Sequence, residues 1–518
     1  MVEHARIGIV DMGSNAIRFQ VAEVAGNNIA PLESHRLPLR LGRDVFHTGQ
    51  IPEATMADVV DAFRRFRATC DRLGVAHVRA IATSAMRAAR NRDLLVDRVR
   101  DATGIEIEVI SGTQEAYLLK LGVEASIDLS RGRSLLVDVG GGSVEVVLVE
   151  NGQVTSADSY RLGALRMLEA LDGAEQVGET FVDLLDRHLK SLEHRIAERL
   201  DEARIDRYVA VGGNIDSLAD LVAARAGQRR QDGAEACRID ELDKEVRDLA
   251  NMTIAQRMER RSLRADRADT IVPAGIVYTR LGHMARVEHV LVPRTGIKDG
   301  LLVEVIHGHF ESFAAEDHVD VVLGACRAMG RRFHFESAHA EAVLELARQL
   351  FDQTKELHGL GDRARVLLEA AALLHDVGVA VNNDGHHKHS QYLIESSDLV
   401  GLTHEERHMV ALVARYHRKG PPTRDHEEYL ALRRRDRTVV ERLAALLRLA
   451  DALDRQHAQL VRGIGARIGD DYVELRPLLA DATETRLTLE AKAVAAKGVL
   501  FMQLFGRMPR LVLPDATA

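Results

Sequence analysis

The sequence predicts an α/β protein with two α/β lobes, followed by a helical domain and a small C-terminal α/β unit. One observation is a repeat, since residues 7–19 and 135–147 share a pattern in which Asp11 matches Asp138. A second is that short β-type runs alternate with helical stretches as far as Leu302, as in layered α/β folds. The third is the helical periodicity of residues 319–457, which hold most of the histidines.

The repeat is a glycine-rich corner between two apolar runs. In each copy an apolar run ends at an aspartate, the corner follows, and an alternating run leaves it. This order predicts a strand, a tight turn and a second strand. Glycines at such a corner let backbone N–H groups converge on an anion, so two matching corners predict phosphate chemistry between two lobes.

The remaining elements follow from shorter patterns. Residues 78–82 and 105–110 predict strands, and residues 208–213 predict a strand that runs into glycines and then a helix. Near the end, residues 472–479 and 486–494 both have a strand-like pattern. The expected domains are lobe I at residues 1–124, lobe II at 125–304, the helical domain at 305–462 and the C-terminal domain at 463–518.

Composition limits the function classes. The chain has 518 residues, too many for one core, and a net charge of −9 that would not attract a polyanion to the whole surface. It has no Trp and only 4% aromatic residues, which makes nucleic acid an unlikely main partner. Cys70, Cys237 and Cys326 are far apart, as expected for reduced thiols. Without a signal-peptide pattern or a long apolar run, we expect a cytoplasmic protein and no membrane contact.

Motifs along most of the chain identify a family. They read DMGSNAIRF, ATSAMRAARN, VISGTQEA, DVGGGSVE, RLGALRM, VGGNIDSLA, DTIVPAGIV and RTGIKDGLL, in that order. With them the chain resembles the exopolyphosphatase and guanosine pentaphosphate phosphohydrolase family, in the actin-like ATPase and sugar kinase superfamily. The resemblance implies two actin-like (ribonuclease H-like) lobes and a homodimer. It also implies metal-dependent removal of the terminal phosphoryl group from inorganic polyphosphate, or from the 5′ end of guanosine pentaphosphate.

Glu115 is the predicted catalytic base. Ser111 and Gln114 stand in capping-box relation, which predicts a helix with Glu115 in its first turn. The helix dipole there favours the ionised carboxylate at neutral pH. The resemblance assigns Glu115 to orient and deprotonate the attacking water. Many relatives carry two consecutive acids where this chain has Gln114 and Glu115, so one base candidate remains.

Phosphoryl transfer also needs a metal and cationic donors. Asp138 and Glu145 are the predicted ligands of Mg²⁺ (or Mn²⁺), with Asp11 as a further candidate. Arg18 occupies the place of Glu145 in the first copy, so one copy suits metal and the other phosphate. Arg87 matches the arginine of the family's ATxxxR motif, and this resemblance implies that it clamps the terminal phosphate. The other predicted phosphate-binding residues are Gly13, Ser14, Asn15, Gly140, Gly141, Gly142, Ser143 and Gly213. Arg264, Arg267 and Lys298 are expected along the path of a long polyanion.

The helical domain resembles an HD-type phosphohydrolase domain. Apolar residues at helical spacing lead into His375 and Asp376, and a second such helix leads into Asp451. His339 fits the first ligand position, so these four residues predict a second divalent metal. His389 and His417 are expected near a second ion. The resemblance leaves open whether this site catalyses a reaction or whether its helices serve only as a scaffold or as a wall of the polyphosphate channel.

Three other functions are weaker alternatives. Residues 404–408 read HEERH, the H-E-x-x-H pattern of zinc peptidases, but their charged setting suits a solvated helix start capped by Thr403 and Glu406. A kinase or ATPase of the same two-lobed superfamily would transfer phosphate to an acceptor. A non-catalytic sensor would bind polyphosphate or guanosine nucleotides and signal to a partner.

Overall fold

The computed structural model describes most of the chain. The described residues are 4–25, 28–75, 77–171, 177–200, 204–226, 234–309, 315–397, 399, 401–423, 425–479 and 487–512. They fall into two compact units, Met1–Ala315 and Glu316–Ala518. Within the described residues, no helix is both long and apolar enough to cross a membrane.

The first unit begins with a mixed sheet. Its strands are β1 (His4–Met12), β2 (Ile17–Ala25), β3 (Asn28–Leu37), β4 (His77–Ala82) and β5 (Ile107–Val109), in the order β3-β2-β1-β4-β5. Its helices are α1 (Leu41–Thr48), α2 (Glu53–Leu73), α3 (Ser84–Ala88), α4 (Arg92–Thr103) and α5 (Gly112–Glu124). β1 pairs antiparallel with β2 and parallel with β4.

A second sheet in the same unit repeats this topology. Its strands are β6 (Arg133–Val139), β7 (Val144–Glu150), β8 (Gln153–Tyr160), β9 (Arg207–Val211), β10 (Glu235–Arg238) and β11 (His289–Val292). Their order is β10-β11-β9-β6-β7-β8. Read as β8-β7-β6-β9-β11, it is the order of the first sheet with β10 added at the edge. The repeat in the sequence is therefore a repeat of the fold.

Eight helices belong to the second half of this unit. They are α6 (Ala164–Ala170), α7 (Glu179–Leu200), α8 (Gly213–Arg225), α9 (Ile239–Ala250), α10 (Ile254–Arg261), α11 (Ala265–Ala268), α12 (Ile271–Met284) and α13 (Ile297–His309). Residues 144–149 of β7 are all buried, which shows that both faces of the second sheet are covered there. α13 contacts α5 and β1, so the chain returns to the first sheet before the unit ends.

Local predictions for this unit agree with the structure, with one change of length. Ser111 Oγ accepts a hydrogen bond from Gln114 N, and Gln114 Oε1 accepts one from Ser111 N, which completes the predicted capping box. The strand predicted at residues 105–110 is present but spans only Ile107–Val109.

The second unit is mostly helical, as predicted for residues 319–457. Its helices are α14 (Ala315–Arg332), α15 (Ser337–Gln353), α16 (Lys355–His358), α17 (Asp362–Leu374), α18 (His386–Ser396), α19 (His404–Arg415), α20 (Glu427–Leu430), α21 (Arg434–Leu453), α22 (Thr488–Lys497) and α23 (Val499–Phe505). A 3₁₀ turn occupies Val377–Ala380. The small sheet has the order β12 (Val461–Ile468), β13 (Tyr472–Leu479), β14 (Met508–Leu511).

One predicted strand of this unit is wrong. Residues 486–494 have an alternating start, but Thr488–Lys497 forms helix α22, and residue 486 lies outside the described residues. Leu487, Glu490 and Val494 are buried at spacings of three and four, and the alanines between them favour a helix. The third strand of the sheet is β14 instead.

The small sheet is built onto the helices of its unit. Gln353 donates to the carbonyl of Ile464 (2.7 Å) and accepts from the N–H of Ala466 (2.6 Å), so α15 holds the edge of β12. Apolar residues of β12 and β13 belong to the same core as the helices. The sheet has no separate core among the described residues, and the four-domain division stays a prediction.

Candidate active site

The two glycine corners of the first unit face each other directly. A Cβ added to Gly142 would lie 2.5 Å from Ser84 Oγ and 3.0 Å from Ser14 Oγ. A Cβ on Gly141 would lie 3.1 Å from the Cβ of Ser14. The corner that follows β6 therefore touches the corner that follows β1, and larger residues at these glycines would separate them.

Both corners open onto one cavity of about 570 Å³. The predicted residues that line it are Asp11, Gly13, Ser14, Asn15, Arg18, Glu115, Asp138, Gly140, Gly141, Gly142, Ser143, Gly213, Arg264, Arg267 and Lys298. Of the described residues predicted for this site, Arg87 and Glu145 do not line the cavity but lie behind it, against Glu115 and Ser159. The structure thus brings predicted residues from segments far apart in the chain to one cavity.

Helix α6 fixes the backbone of the second corner. The carbonyls of Gly140 and Gly141 accept hydrogen bonds from Ala164 N (2.9 Å) and Leu165 N (2.8 Å) at the start of that helix. Arg166 Nε donates to the carbonyl of Gly142 (3.1 Å). A Cβ on Gly163 would clash with the backbone of Gly142, so the RLGALRM motif supplies the glycine that this approach needs.

The first corner is held in the same way but carries a different charge pattern. Gly42 N donates to the carbonyl of Ser14 (2.8 Å), which ties the corner to α1. Arg18 lies opposite Asp11 in the register of β1 and β2, and its Nη1 donates to Asp11 Oδ2 at 2.9 Å. Asp138 and Glu145 occupy the same register position in β6 and β7. One lobe therefore has an ion pair where the other has two acids.

Glu115 is buried at the start of α5 and faces Arg87. Arg87 Nη1 donates to Glu115 Oε2 at 2.8 Å and to the carbonyl of Ile110 at 2.9 Å. Burial, and then the charge of Glu145, raise the pKa of Glu115 to about 8, although Arg87 opposes them. The prediction that the helix dipole keeps Glu115 ionised at neutral pH is therefore wrong for the protein alone, because burial among acids outweighs the dipole.

The neighbouring carboxyl groups share this effect. Burial, followed by the charge of Glu115, raises the pKa of Asp138 to about 7. Burial and the charge of Asp138 raise the pKa of Glu145 to about 7. A bound cation would favour the ionised form of all three groups.

A divalent metal fits this group of residues. Glu145 Oε1 accepts a hydrogen bond from Ser159 Oγ (2.9 Å), whereas its buried Oε2 has no hydrogen-bond partner among the described residues. An orphaned carboxylate oxygen beside further acids is costly unless a cation satisfies it. Mg²⁺ and Mn²⁺ prefer oxygen ligands of this kind. Asp138, Glu145 and Asp11 are thus chemically suited to the predicted metal.

The wall formed by α8 and α11 adds Asp216, which the sequence did not reveal, to the predicted Gly213 and Arg267. Asp216, in the first turn of α8, lines the cavity, and burial raises its pKa to about 6. A Cβ on Gly213 would clash with the guanidinium of Arg267, whose Nη1 donates to Asn214 Oδ1 at 3.3 Å. Burial, and then the charge of Arg18, lower the pKa of Arg267 to about 10. Gly213 therefore makes room for a buried cation at the cavity.

Ion pairs join the two lobes at the edge of the cavity. Arg36 at the end of β3 pairs with Asp266 of α11, and Arg40 before α1 pairs with Asp269. Asn15 Nδ2 donates to the backbone carbonyl of Asp266 at 3.0 Å. Nothing in the local sequence marks these pairs, because their partners are more than two hundred residues apart.

The second unit brings together the predicted ligands His339, His375 and Asp376. Their ligand atoms lie within 4.8 Å of one another, and the Nε2 atoms of His339 and His375 are 3.3 Å apart. Asp451 is nearby, with Oδ1 at 3.8 Å from His339 Nε2, but it also pairs with Lys497. No local pattern in the sequence indicated Lys497 at this place.

A second group shares Asp376. His386 and His417 place their Nε2 atoms 3.1 Å and 3.4 Å from Asp376 Oδ1. His417 was predicted, but His389 lies outside this group and His386, three residues earlier, contributes instead because it begins α18. Burial lowers the pKa of His417 to about 3. Burial opposes ionisation of Asp376, but the adjacent imidazoles hold its pKa well below the usual range.

The HEERH segment has no metal-site geometry in the described residues. His408 Nδ1 contacts Glu395 Oε1 at 2.8 Å, and its Nε2 contacts the carbonyl of Glu428 at 3.0 Å. The side chain of His404 lies outside the described residues. The Thr403 and Glu406 capping box is present, as predicted. Both ring nitrogens of His408 therefore already have protein partners.

Comparison with known proteins gives a consistent result. Residues 20–309 match the model of the Ppx/GppA phosphatase family, and residues 324–496 match that of Ppx/GppA phosphatase, domain III. A guanosine-5′-triphosphate,3′-diphosphate pyrophosphatase from Photobacterium profundum is 24% identical over 454 residues, 87% of each chain.

Solved structures show the same fold. An exopolyphosphatase from Cytophaga hutchinsonii ATCC 33406 is similar with a TM-score of 0.56 and 23% identity, over 58% of this chain and 98% of that one. The Aquifex aeolicus member of the Ppx/GppA protein family is similar with a TM-score of 0.53 and 23% identity, over 60% of this chain and all of that one. These similarities confirm the predicted fold class.

Proposed function

Because this chain belongs to the Ppx/GppA phosphatase family, we propose that its cleft removes the terminal phosphoryl group of inorganic polyphosphate, with guanosine pentaphosphate as a second substrate. The observation that carries the proposal is the cavity onto which Glu115 and both glycine corners open. The relative from Photobacterium profundum is named for a guanosine substrate, and the solved relative from Cytophaga hutchinsonii for polyphosphate. Both substrates end in a phosphoanhydride, which is the group that such a cleft suits.

Binding of the phosphate chain rests on the two corners. The terminal phosphoryl group lies between residues 13–15 of one corner and residues 140–143 of the other. The backbone N–H groups of residues 14–15 and 141–143 and the serine hydroxyls can donate to it, whereas the N–H groups of Gly13 and Gly140 donate within their own corners. Arg18 and Arg267 lie on the cavity wall and offset the charge of the phosphates. Because α6 and α1 hold the corners in place, little reorganisation is needed when the substrate binds.

Glu115 positions the attacking water. Its carboxylate orients the water for in-line attack on the terminal phosphorus and takes a proton as the P–O bond to the leaving chain breaks. Arg87 holds the carboxylate in one orientation through the 2.8 Å contact and favours its ionised form. The products are orthophosphate and a polyphosphate chain that is shorter by one phosphate unit.

Asp138 and Glu145, with Asp11 as a third candidate, would hold Mg²⁺ or Mn²⁺. When bound, the ion neutralises charge on the phosphoryl oxygens. Asp138 lies at the cavity wall, and Glu145 is its cross-strand neighbour in the register of β6 and β7.

Replacement of Glu115 tests the proposal. Phosphate release from long-chain polyphosphate and from guanosine pentaphosphate is measured with Mg²⁺ for the wild type, Glu115→Gln and the exposed control Glu106→Gln. We expect Glu115→Gln to lose at least ~100-fold in kcat while it still binds polyphosphate, and Glu106→Gln to keep full activity. Wild-type protein that binds polyphosphate without turnover would instead indicate a sensor, and ATP-dependent transfer to an acceptor would indicate a kinase.

The assignment to the first unit has its own control. Asp376→Ala changes the second unit alone, so phosphate release by this variant should equal that of the wild type. Loss of release in Asp376→Ala but not in Glu115→Gln would place the chemistry in the second unit. The cytoplasmic location, the homodimer and the HD-type character of the second unit stay predictions.

A further inference from the structure

We propose that Asp216 recognises the nucleoside part of guanosine pentaphosphate by accepting hydrogen bonds from its N–H and O–H groups. On this proposal the carboxylate of Asp216, and not the two glycine corners, determines the preference between the nucleotide and inorganic polyphosphate. The inference rests on the proposed function in one respect, which is that the guanosine nucleotide enters the same cleft. It assigns a role to a residue that the catalytic base, the metal ligands and the corners leave unused.

Asp216 brings an unused acceptor to the cavity. It lies in the first turn of α8, is half-buried and lines the cavity. Its Oδ1 atom is buried and has no hydrogen-bond partner among the described residues. A buried carboxylate oxygen without a partner is costly, so a ligand that donates to it supplies an interaction that the free protein lacks.

The arginines around Asp216 donate their hydrogen bonds elsewhere. Burial raises the pKa of Asp216 to about 6, although the charges of Arg294, Arg267 and Arg18 oppose this rise. The carboxylate is therefore mostly ionised at neutral pH, and an ionised carboxylate only accepts. The acceptors that these arginines contact are Asp220 and Glu235 for Arg294, Asn214 for Arg267 and Asp11 for Arg18.

Two more side chains turn acceptors toward this cavity. Ser217 lines it, and its Oγ donates to the carbonyl of Gly213 at 2.9 Å, so lone pairs are what the hydroxyl has left for a ligand. Asn15 lines it from the other lobe, and its Nδ2 donates to the carbonyl of Asp266 at 3.0 Å. This bond fixes the amide orientation, and the buried Oδ1 has no partner among the described residues. These side chains therefore differ from the corners, whose backbone N–H groups donate.

The chemistry of the two substrates decides which of them can use these acceptors. The phosphates of a polyphosphate chain offer acceptor oxygens and negative charge, so they gain no hydrogen bond from Asp216 and are repelled by it. A guanosine nucleotide also carries ribose hydroxyls and the N–H groups of guanine, which are donors that carboxylates bind. The cavity of about 570 Å³ is large enough to hold more than the terminal phosphoryl group. A site that offers acceptors discriminates against a ligand without donors.

Binding measurements without turnover test the proposal. The full-length Glu115→Gln protein is titrated, in the presence of Mg²⁺, with guanosine pentaphosphate and with inorganic tripolyphosphate, which has no nucleoside. We expect the further substitution Asp216→Ala to weaken guanosine pentaphosphate by about tenfold or more, because a hydrogen bond to a charged acceptor is lost. The same substitution should leave tripolyphosphate bound as tightly as before or more tightly. Retained tripolyphosphate binding also shows that the cleft of the variant is folded.

Asp220→Ala is the matched control. It removes the same charge from the next turn of α8, also at the cavity, but its carboxylate already accepts from Arg294 at 2.7 Å. It should change the affinities for both ligands alike and leave their ratio unchanged. The proposal is overturned if Asp216→Ala changes this ratio no more than Asp220→Ala does. It is also overturned if Asp216→Ala weakens both ligands equally, since that result would indicate a cation held between the carboxylate and the phosphates.

Failure of this inference is distinguishable from failure of the proposed function. Wild-type protein that releases phosphate from neither substrate would refute the proposed hydrolysis, whereas the ratio of the two binding constants would still decide the role of Asp216. Wild-type protein that hydrolyses polyphosphate but does not bind guanosine pentaphosphate would overturn the inference and leave the hydrolysis standing.

Discussion

Glu115 is the residue at which burial and function oppose each other. Its carboxyl group lies among Glu145, Asp138 and Asp11, and the favourable partner within hydrogen-bonding distance is Arg87. Since folding raises the pKa of Glu115 to about 8, its carboxyl group keeps a proton in the folded protein over a pH range in which the unfolded chain has released it. The protein without metal therefore loses stability when Glu115 takes the charge that catalysis needs.

The first prediction concerns stability as a function of pH. A group whose pKa is raised by folding stabilises the folded protein fully at pH values below its pKa in the unfolded chain. This stabilisation is lost as the pH rises through its pKa in the folded protein, here between about pH 4.5 and about pH 8. Glu115→Gln has no proton to lose. Its free energy of unfolding in metal-free buffer, measured by urea unfolding, should therefore exceed that of the wild type by a margin that widens from pH 5 to pH 8.5, to on the order of 2 kcal/mol. Glu106→Gln should show no such trend, and a margin that stays flat or narrows would contradict the prediction.

The second prediction uses Arg87. Because its guanidinium lowers the pKa of Glu115, Arg87→Met should move the acid limb of the kcat profile of phosphate release to higher pH. Arg87→Lys keeps the charge but not the fixed geometry, so its limb should lie between the two. If the acid limb of the pH profile does not move in Arg87→Met, while kcat falls at all pH values, then Arg87 binds the phosphate and does not set the pKa of Glu115.

Local sequence was enough for the residues whose place is fixed by a corner. Asp11 and Asp138 are the last residues but one of β1 and β6, and the glycines of each corner follow, so their position at the strand end could be predicted. The sequence also showed that the first copy of the repeat has Arg18 where the second copy has Glu145. Arg36, Asp216 and Lys497 could not be predicted, because only the folded chain brings them to the sites, and the pKa of Glu115 depends on burial that no local pattern records.

At the scale of elements, the crossing of α5 and α13 positions Glu115. A Cβ on Gly300 of α13 would clash with the backbone carbonyl of Leu118 in α5, so the two helices touch through their backbones. The third prediction is that Gly300→Ala destabilises the first unit by about 2 kcal/mol and lowers kcat, because α5 must shift. Thermal unfolding and phosphate release measure the two effects.

Gly296 provides the matched control for this crossing. It lies just before α13, and a Cβ there would meet nothing within 4 Å. Gly296→Ala should therefore unfold within about 0.5 kcal/mol of the wild type. Equal destabilisation by both substitutions would show that the contact between α5 and α13 does not explain the loss.

Helix α22 shows why element type was harder to predict than element position. Its first residues alternate, and the preceding strand made a further strand plausible. The burial of Leu487, Glu490 and Val494 on one helical face became clear only from packing against α21. Short alternating runs beside alanine-rich segments fit both periodicities.

For the first unit as a whole, the ion pairs between its lobes determine how the cleft is held. Arg36 and Asp266 are 22% and 10% exposed, so solvent screens them less than a surface pair. The fourth prediction is a coupling energy of about 1 kcal/mol or more in a double-mutant cycle of Arg36→Gln and Asp266→Asn. The same substitutions should raise KM for polyphosphate more than they lower kcat, since they loosen the cleft without touching Glu115.

The pair Arg238 and Asp240 is the control for this cycle. It lies in the same unit but is 49% and 64% exposed and joins neighbouring residues of one segment, so its coupling should be near zero. Polyphosphate KM and urea unfolding are measured for both cycles. If Arg36 and Asp266 couple no more strongly than the exposed pair, and KM is unchanged, then the corners and helices hold the cleft by themselves.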